Sequence, residues 1–85
     1  MTEQQIQSKK IKQLEKEGYY VIKLVKTNKN GIPDLIAIPK NSDVRLFEVK
    51  TPTGVVSQLQ KYRHKELREH GLQVEVYLSL IHISE

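Results

Sequence analysis

The stretch Gly31 to Lys50, GIPDLIAIPKNSDVRLFEVK, constrains the chain more than any other. It carries two β-rich runs, Leu35 to Ile38 and Val44 to Val49, on either side of Pro39, Lys40, Asn41, Ser42 and Asp43, residue types that end strands and make turns. The spacing predicts a β-hairpin, with acids placed where a plain hairpin has no need of them. Asp34 precedes the first run, and Glu48 stands near the end of the second, two positions before Lys50. Strand side chains alternate between faces, so Glu48 and Lys50 share a face, and the hairpin returns Asp34 to their side. Two carboxylates and an ammonium then meet in one small site. The acids repel each other unless a cation joins them, and hard divalent cations such as Mg²⁺ take carboxylate oxygens.

The flanking segments supply the rest of an α/β chain. Thr2 with Gln5 reads as a capping box opening a helix from Glu3 to about Glu17, which Gly18 ends, with Ile6, Ile11 and Leu14 as its apolar stripe. Glu3 falls in the first turn, at the border of the inward face, where the helix dipole alone would favour an acid. Tyr19 to Lys26 reads as a strand and Thr27 to Gly31 as a polar loop whose neighbouring lysines suit either phosphate or water. After the break at Thr51 to Gly54, Ser57 with Gln60 is a second capping box, opening a helix to about His70 that Gly71 stops. Leu59, Tyr62 and Leu67 are its expected inward stripe, with Lys61, Arg63, Lys65 and Arg68 around them and His64 and His70 expected on the surface. Gln73 to Leu80 alternates as a last strand, and its crossover helix predicts parallel pairing. The order is αβββαβ. Ile81 to Glu85 follow without a cap and read as a non-native tail, with no role for His82.

At 85 residues the chain is expected to be one domain, near the lower limit for a self-sufficient core, so self-association would help it. The absence of cysteine excludes disulfides and thiolate zinc sites. No apolar run is long enough to cross a membrane, and MTEQQIQSKK lacks the apolar core of a signal peptide, so a cytoplasmic location is expected. A net charge of +4 permits a polyanionic partner but fits a solvated surface equally well.

Pro33-Asp34 followed by Glu48-Val49-Lys50 resembles the signature of the PD-(D/E)xK nucleases. The longer strings GIPDLIAI, LFEVKTPTG and SQLQ resemble more narrowly the stand-alone virus-type replication-repair nuclease (VRR-NUC) domain, over roughly Glu3 to Val76. That resemblance implies a restriction-endonuclease-like α/β fold, a mixed four-stranded sheet with a helix on each side. It implies a DNA endonuclease of phage or viral replication and repair that needs Mg²⁺ or Mn²⁺, works as a homodimer and prefers branched DNA, above all four-way junctions. Asp34, Glu48, the backbone carbonyl of Val49 and Glu3 would be the metal ligands. Lys50 would be the catalytic base or water-orienting group, and Gln60 a further residue close to the active site. Two other classes remain open: a nucleic-acid-binding domain without catalysis, and an interaction domain in which Glu48 and Lys50 form only a cross-strand ion pair facing solvent.

Overall fold

Both helices begin at a capping box in the computed structural model, whose described residues are 2–78. Helix α1 spans Glu3–Lys16, with the Thr2 side chain accepting from the Gln5 N–H and the Gln5 side chain accepting from the Thr2 N–H. Helix α2 spans Gln58–Glu69, and Ser57 and Gln60 make the same reciprocal pair. Each helix also ends alike, because Gly18 and Gly71 take φ of 96° and 89° and let the next residue turn back. The Tyr19 N–H then donates to the Leu14 carbonyl at 3.0 Å and the Leu72 N–H to the Leu67 carbonyl at 3.1 Å.

Closing α1 in this way uses Tyr19, so strand β1 is Tyr20–Lys23 and stops short of the expected Lys26. Its line of pairing ends with the Leu24 N–H on the Asp34 carbonyl, and the chain then leaves as a loop. Strands β2, Leu35–Ile38, and β3, Arg45–Lys50, form the expected hairpin. Strand β4 is Gln73–Leu78; the expected extension to Leu80 and the tail with His82 lie outside the described residues. The sheet order is β1-β2-β3-β4, antiparallel across β1, β2 and β3 and parallel between β3 and β4, so the expected mixed α/β sheet is borne out. Among the described residues, no helix is long and apolar enough to cross a membrane.

Alternation along the strands divides the side chains between two faces, and each helix takes one. Leu35, Ala37, Phe47 and Val49 meet Ile6 and Leu14 of α1 in the main core. Burying a side chain of Leu or Phe size contributes about 2 kcal/mol, so this cluster holds α1 to the hairpin. Ile11 is only partly buried, and Gln7 and Lys10 turn inward as well. Lys10 is accommodated because its Nζ lies 4.3 Å from the Tyr77 ring centroid and 5.0 Å from that of Phe47. On the same side Arg45 joins Glu75 at 2.7 Å and the Tyr19 hydroxyl at 2.9 Å, tying β3 to β4 and to the end of α1.

Helix α2 lies against the other face, and its orientation corrects the expected stripe. Leu59 and Tyr62 are 42% and 55% exposed, whereas His64, expected at the surface, is buried. The reason is that α2 is turned to satisfy a buried acid of β3 rather than to maximise apolar contact.

Candidate active site

That acid is Glu48. Leu35 pairs with Phe47, and continuing the register by one residue puts Asp34 opposite Glu48 where β2 begins. The Asp34 N–H donates to the Phe47 carbonyl at 2.9 Å, and the Val49 N–H donates to Asp34 Oδ2 at 2.8 Å, so both backbone and side chain of Asp34 are pinned to β3. In an extended strand the N–H and C=O of one residue leave on the same side, so the Val49 carbonyl also faces Asp34. Lys50 lies on the same face as Glu48, with Nζ 3.9 Å from Oε2, too long for a hydrogen bond.

Glu48 is 1% exposed. Burial pushes its carboxyl up to about 8, the hydrogen bond and charge of Asp34 push the same way, and Lys50 only partly opposes them. A cross-strand ion pair on a solvent face does not describe this arrangement, so the interaction-domain reading loses its basis.

Two residues of α2 reach the same carboxylate. Gln60 Nε2 donates to Glu48 Oε2 at 3.2 Å, while Gln60 Oε1 accepts from the Ser57 N–H at 2.9 Å. The capping box therefore fixes which way the Gln60 amide points, and its helix-starting role and its place at the site are one arrangement. His64 Nε2 sits 3.2 Å from Glu48 Oε1. Burial holds the His64 imidazole below its ordinary pKa, with the nearby positive charges of Arg68 and Lys50 adding to the effect. Sequence reasoning missed His64, although its i, i+4 spacing from Gln60 puts both on one helix face and could have pointed to it.

Helix α2 also grips the loop that leads to Asp34. Arg63 Nε donates to the Asn30 carbonyl at 2.9 Å. Gly31 has φ of 81°, and a Cβ there would stand 2.9 Å from Leu59 Cγ and 3.3 Å from the backbone nitrogen of Gln60. Beside it a cleft of ≈ 270 Å³ is lined by Lys26, Lys29, Asn30 and, of the acids, Asp34 alone. Gly31→Ala is expected to destabilise the fold by about 1–3 kcal/mol, through left-handed strain and overlap. It should also shift α2 away from Glu48. Thermal unfolding checks this; an unchanged melt would show that the loop simply gives way.

Glu3 lies exposed in the first turn of α1, and only its charge reaches Glu48, as the weakest of the influences on it. Among the described residues, no three His, Cys, Asp or Glu side chains gather as a metal-binding group. The candidate donors are instead two carboxylates, one buried and one half-buried, and the Val49 carbonyl, all hard oxygens, and a cation would relieve the repulsion of the acids. That set fits Mg²⁺ or Mn²⁺, which commonly take one or two carboxylates and complete their shell with water and substrate phosphate.

Comparison with known proteins gives a consistent result. The family model described as VRR-NUC domain matches residues 1–79. A solved structure described as a VRR_NUC domain superposes with a TM-score of 0.81 at 26% sequence identity, covering 96% of this chain and 89% of the other. No curated protein sequence matches the chain.

Proposed function

The chain belongs to the VRR-NUC domain family, a nuclease-type domain, and from that premise we propose that it is an Mg²⁺- or Mn²⁺-dependent endonuclease that hydrolyses DNA phosphodiesters. The observation that carries this reading is the pairing of the half-buried Asp34 with the buried Glu48 where β2 begins, with Lys50 on the same face. A domain that only bound DNA would gain nothing from two acids beside a phosphate, since they would repel it.

In this reading Asp34, Glu48 and the Val49 carbonyl hold the cation, and Glu3 contributes through water. The bound cation supplies a lowered pKa for water and stabilisation of charge developing on the phosphate. Lys50 would orient the attacking water or, in its neutral form, take its proton as the new P–O bond forms and the bond to the leaving sugar oxygen breaks; its ammonium form would instead offset charge on the oxygens of the five-coordinate phosphorus. Gln60 keeps Glu48 in place and has no proton to exchange. Lys26 and Lys29, in the cleft that Asp34 also lines, meet the backbone of the strand being cut. Because Glu3 sits in a helix end that frays and whose carboxylate water can replace, Glu3→Gln should weaken metal affinity by only a few-fold. A calorimetric metal titration measures this; an effect as large as that of losing Asp34 would make Glu3 a direct ligand.

The preferred substrate is branched DNA of phage or viral replication and repair, above all four-way junctions, cut by a homodimer. Edge strand β1 leaves Tyr20 71% and Ile22 43% exposed, an apolar strip that a second copy would cover. A twofold dimer would present two equivalent sites to the near-twofold symmetry of a junction. The test is a panel of labelled single-stranded, duplex, flap and four-way-junction DNA with and without Mg²⁺ or Mn²⁺, together with light scattering. Metal-dependent cleavage strongest on the junction, by a species of twice the 9.9 kDa chain mass, is expected. Equal cleavage of junction and duplex by a monomer would remove the dimer and the preference. A metal-independent gel shift without cleavage would leave a binding domain.

A further inference from the structure

Glu48 projects from a strand on a side chain with three rotatable bonds, and nothing on its own strand fixes the plane of its carboxylate. Lys50 cannot do so, because its ammonium stands at 3.9 Å from Oε2, beyond hydrogen-bonding distance. Asp34, just before β2, meets the carboxyl group from the neighbouring strand, and from the helix side Gln60 and His64, one turn apart on α2, hydrogen-bond it. They engage different oxygens. Gln60 holds Oε2, with its own amide oriented by Ser57, and His64 holds Oε1 from a ring that is 2% exposed. One hydrogen bond on one oxygen leaves the carboxyl group free to swing about that bond; a second on the other oxygen fixes its plane, with His64 donating to the ionised, cation-binding form. Each oxygen keeps a further lone-pair direction for a cation.

We propose that His64 is a positioning residue, which together with Gln60 clamps the Glu48 carboxylate from α2 and thereby sets the affinity of the site for its divalent cation. The inference rests on the nuclease reading above and adds to it a residue that touches neither cation nor DNA. His64 acts through Glu48 alone. Hydrogen-bond partners that orient a metal-binding side chain typically account for about 10–100-fold in metal affinity. The neighbouring helical residue Arg63 is anchored to the Asn30 carbonyl, so the turn carrying His64 is itself held against the loop that leads to Asp34. The clamp thus has a fixed base on each side of the site.

The experiment compares H64L, which fills the space without a donor, with H64Q, whose amide nitrogen reaches about as far as the imidazole Nε2. Calorimetric titration of each full-length protein with Mn²⁺, in the absence of DNA, gives the dissociation constant, and circular dichroism establishes that each is folded. H64L is expected to raise the dissociation constant by tenfold or more, while H64Q stays within about threefold of wild type. If H64L does not fold, H64N makes the same comparison, because its amide stops near the proximal ring atoms and falls short of Glu48. The proposal is overturned if H64L, or H64N in its place, binds Mn²⁺ as wild type does. It is equally overturned if H64Q loses as much affinity as H64L, for then ring shape matters and the donor does not. A wild-type protein that binds no divalent cation overturns this inference together with the nuclease reading, whereas normal wild-type binding with either of the other outcomes removes the His64 role alone.

Discussion

Alanine at Asp34, Glu48 or Lys50 is expected to lower metal-dependent cleavage at least about a thousandfold, equivalent to ~4 kcal/mol of transition-state stabilisation, while the protein remains folded. In the proposed mechanism the three act on one phosphate, so no one of them can substitute for another. Asp34 and Glu48 in that mechanism offer anionic oxygen to the same cation, and among the described residues Lys50 is the only lysine or arginine whose charged group comes within 4 Å of either acid. Asp34 has a second task, since its Oδ2 accepts the Val49 N–H. Asp34→Ala leaves that donor unsatisfied and mixes a structural loss into the result. Asp34→Asn keeps an acceptor there and removes only the charge, as Glu48→Gln does in its own place. The expected pattern is near-complete inactivity of all these variants with far-ultraviolet circular dichroism like that of wild type. Near wild-type turnover by any one of them at saturating Mn²⁺ would mean that the site is assigned to the wrong residues.

The second large effect concerns the metal-free protein and pH. Burial and Asp34 raise the folded-state pKa of Glu48 to about 8 from 4.5. A group whose pKa is raised by folding binds its proton more tightly in the native state, so its contribution is fully present below the unfolded pKa and is lost as pH rises through the folded one. Stability of the metal-free protein should therefore fall between about pH 5 and pH 8, by an amount on the order of a few kcal/mol. Glu48→Gln should flatten that dependence and melt above wild type at pH 8. Saturating Mg²⁺ should reverse the trend in wild type, because a cation favours the ionised acids, and should do little for Glu48→Gln. Thermal unfolding at several pH values, with chelator and with Mg²⁺, makes the comparison. A wild-type melting temperature that stays level from pH 5 to pH 8 in chelator would show that Glu48 titrates normally and that the acid pair is hydrated.

Much of this arrangement is written locally and could be read without coordinates. Thr2 with Gln5, and Ser57 with Gln60, announce their helices by the chemistry of a single turn, and Gly18 and Gly71 announce where they stop. The hairpin follows from strand residues around Pro39 to Asp43, and the face shared by Glu48 and Lys50 follows from period-two alternation alone. The missed features depend on how α2 rotates about its own axis when it docks. Leu59 and Tyr62 look inward by hydrophobicity, but leaving Glu48 buried without donors would outweigh the gain from covering them. Gln60 and His64 therefore face the sheet. Strand propensity places Tyr19 in the first strand, but its N–H is claimed by the preceding helix, a competition that propensity does not register.

On the proposed function, Gln60 makes activity depend on local order. Its side-chain oxygen closes the first turn of α2 on Ser57 while its nitrogen holds Glu48, so the turn cannot fray without releasing the acid. Helix ends open far more often than the body of a fold. The competent fraction of molecules is then set by the opening of one turn rather than by global unfolding, and an apparent affinity scales with that fraction. Warming would silence the site before it melts the protein. A change at Ser57, which carries no group toward the phosphate, would act as a dimmer on the number of working molecules and leave the chemistry of each one untouched.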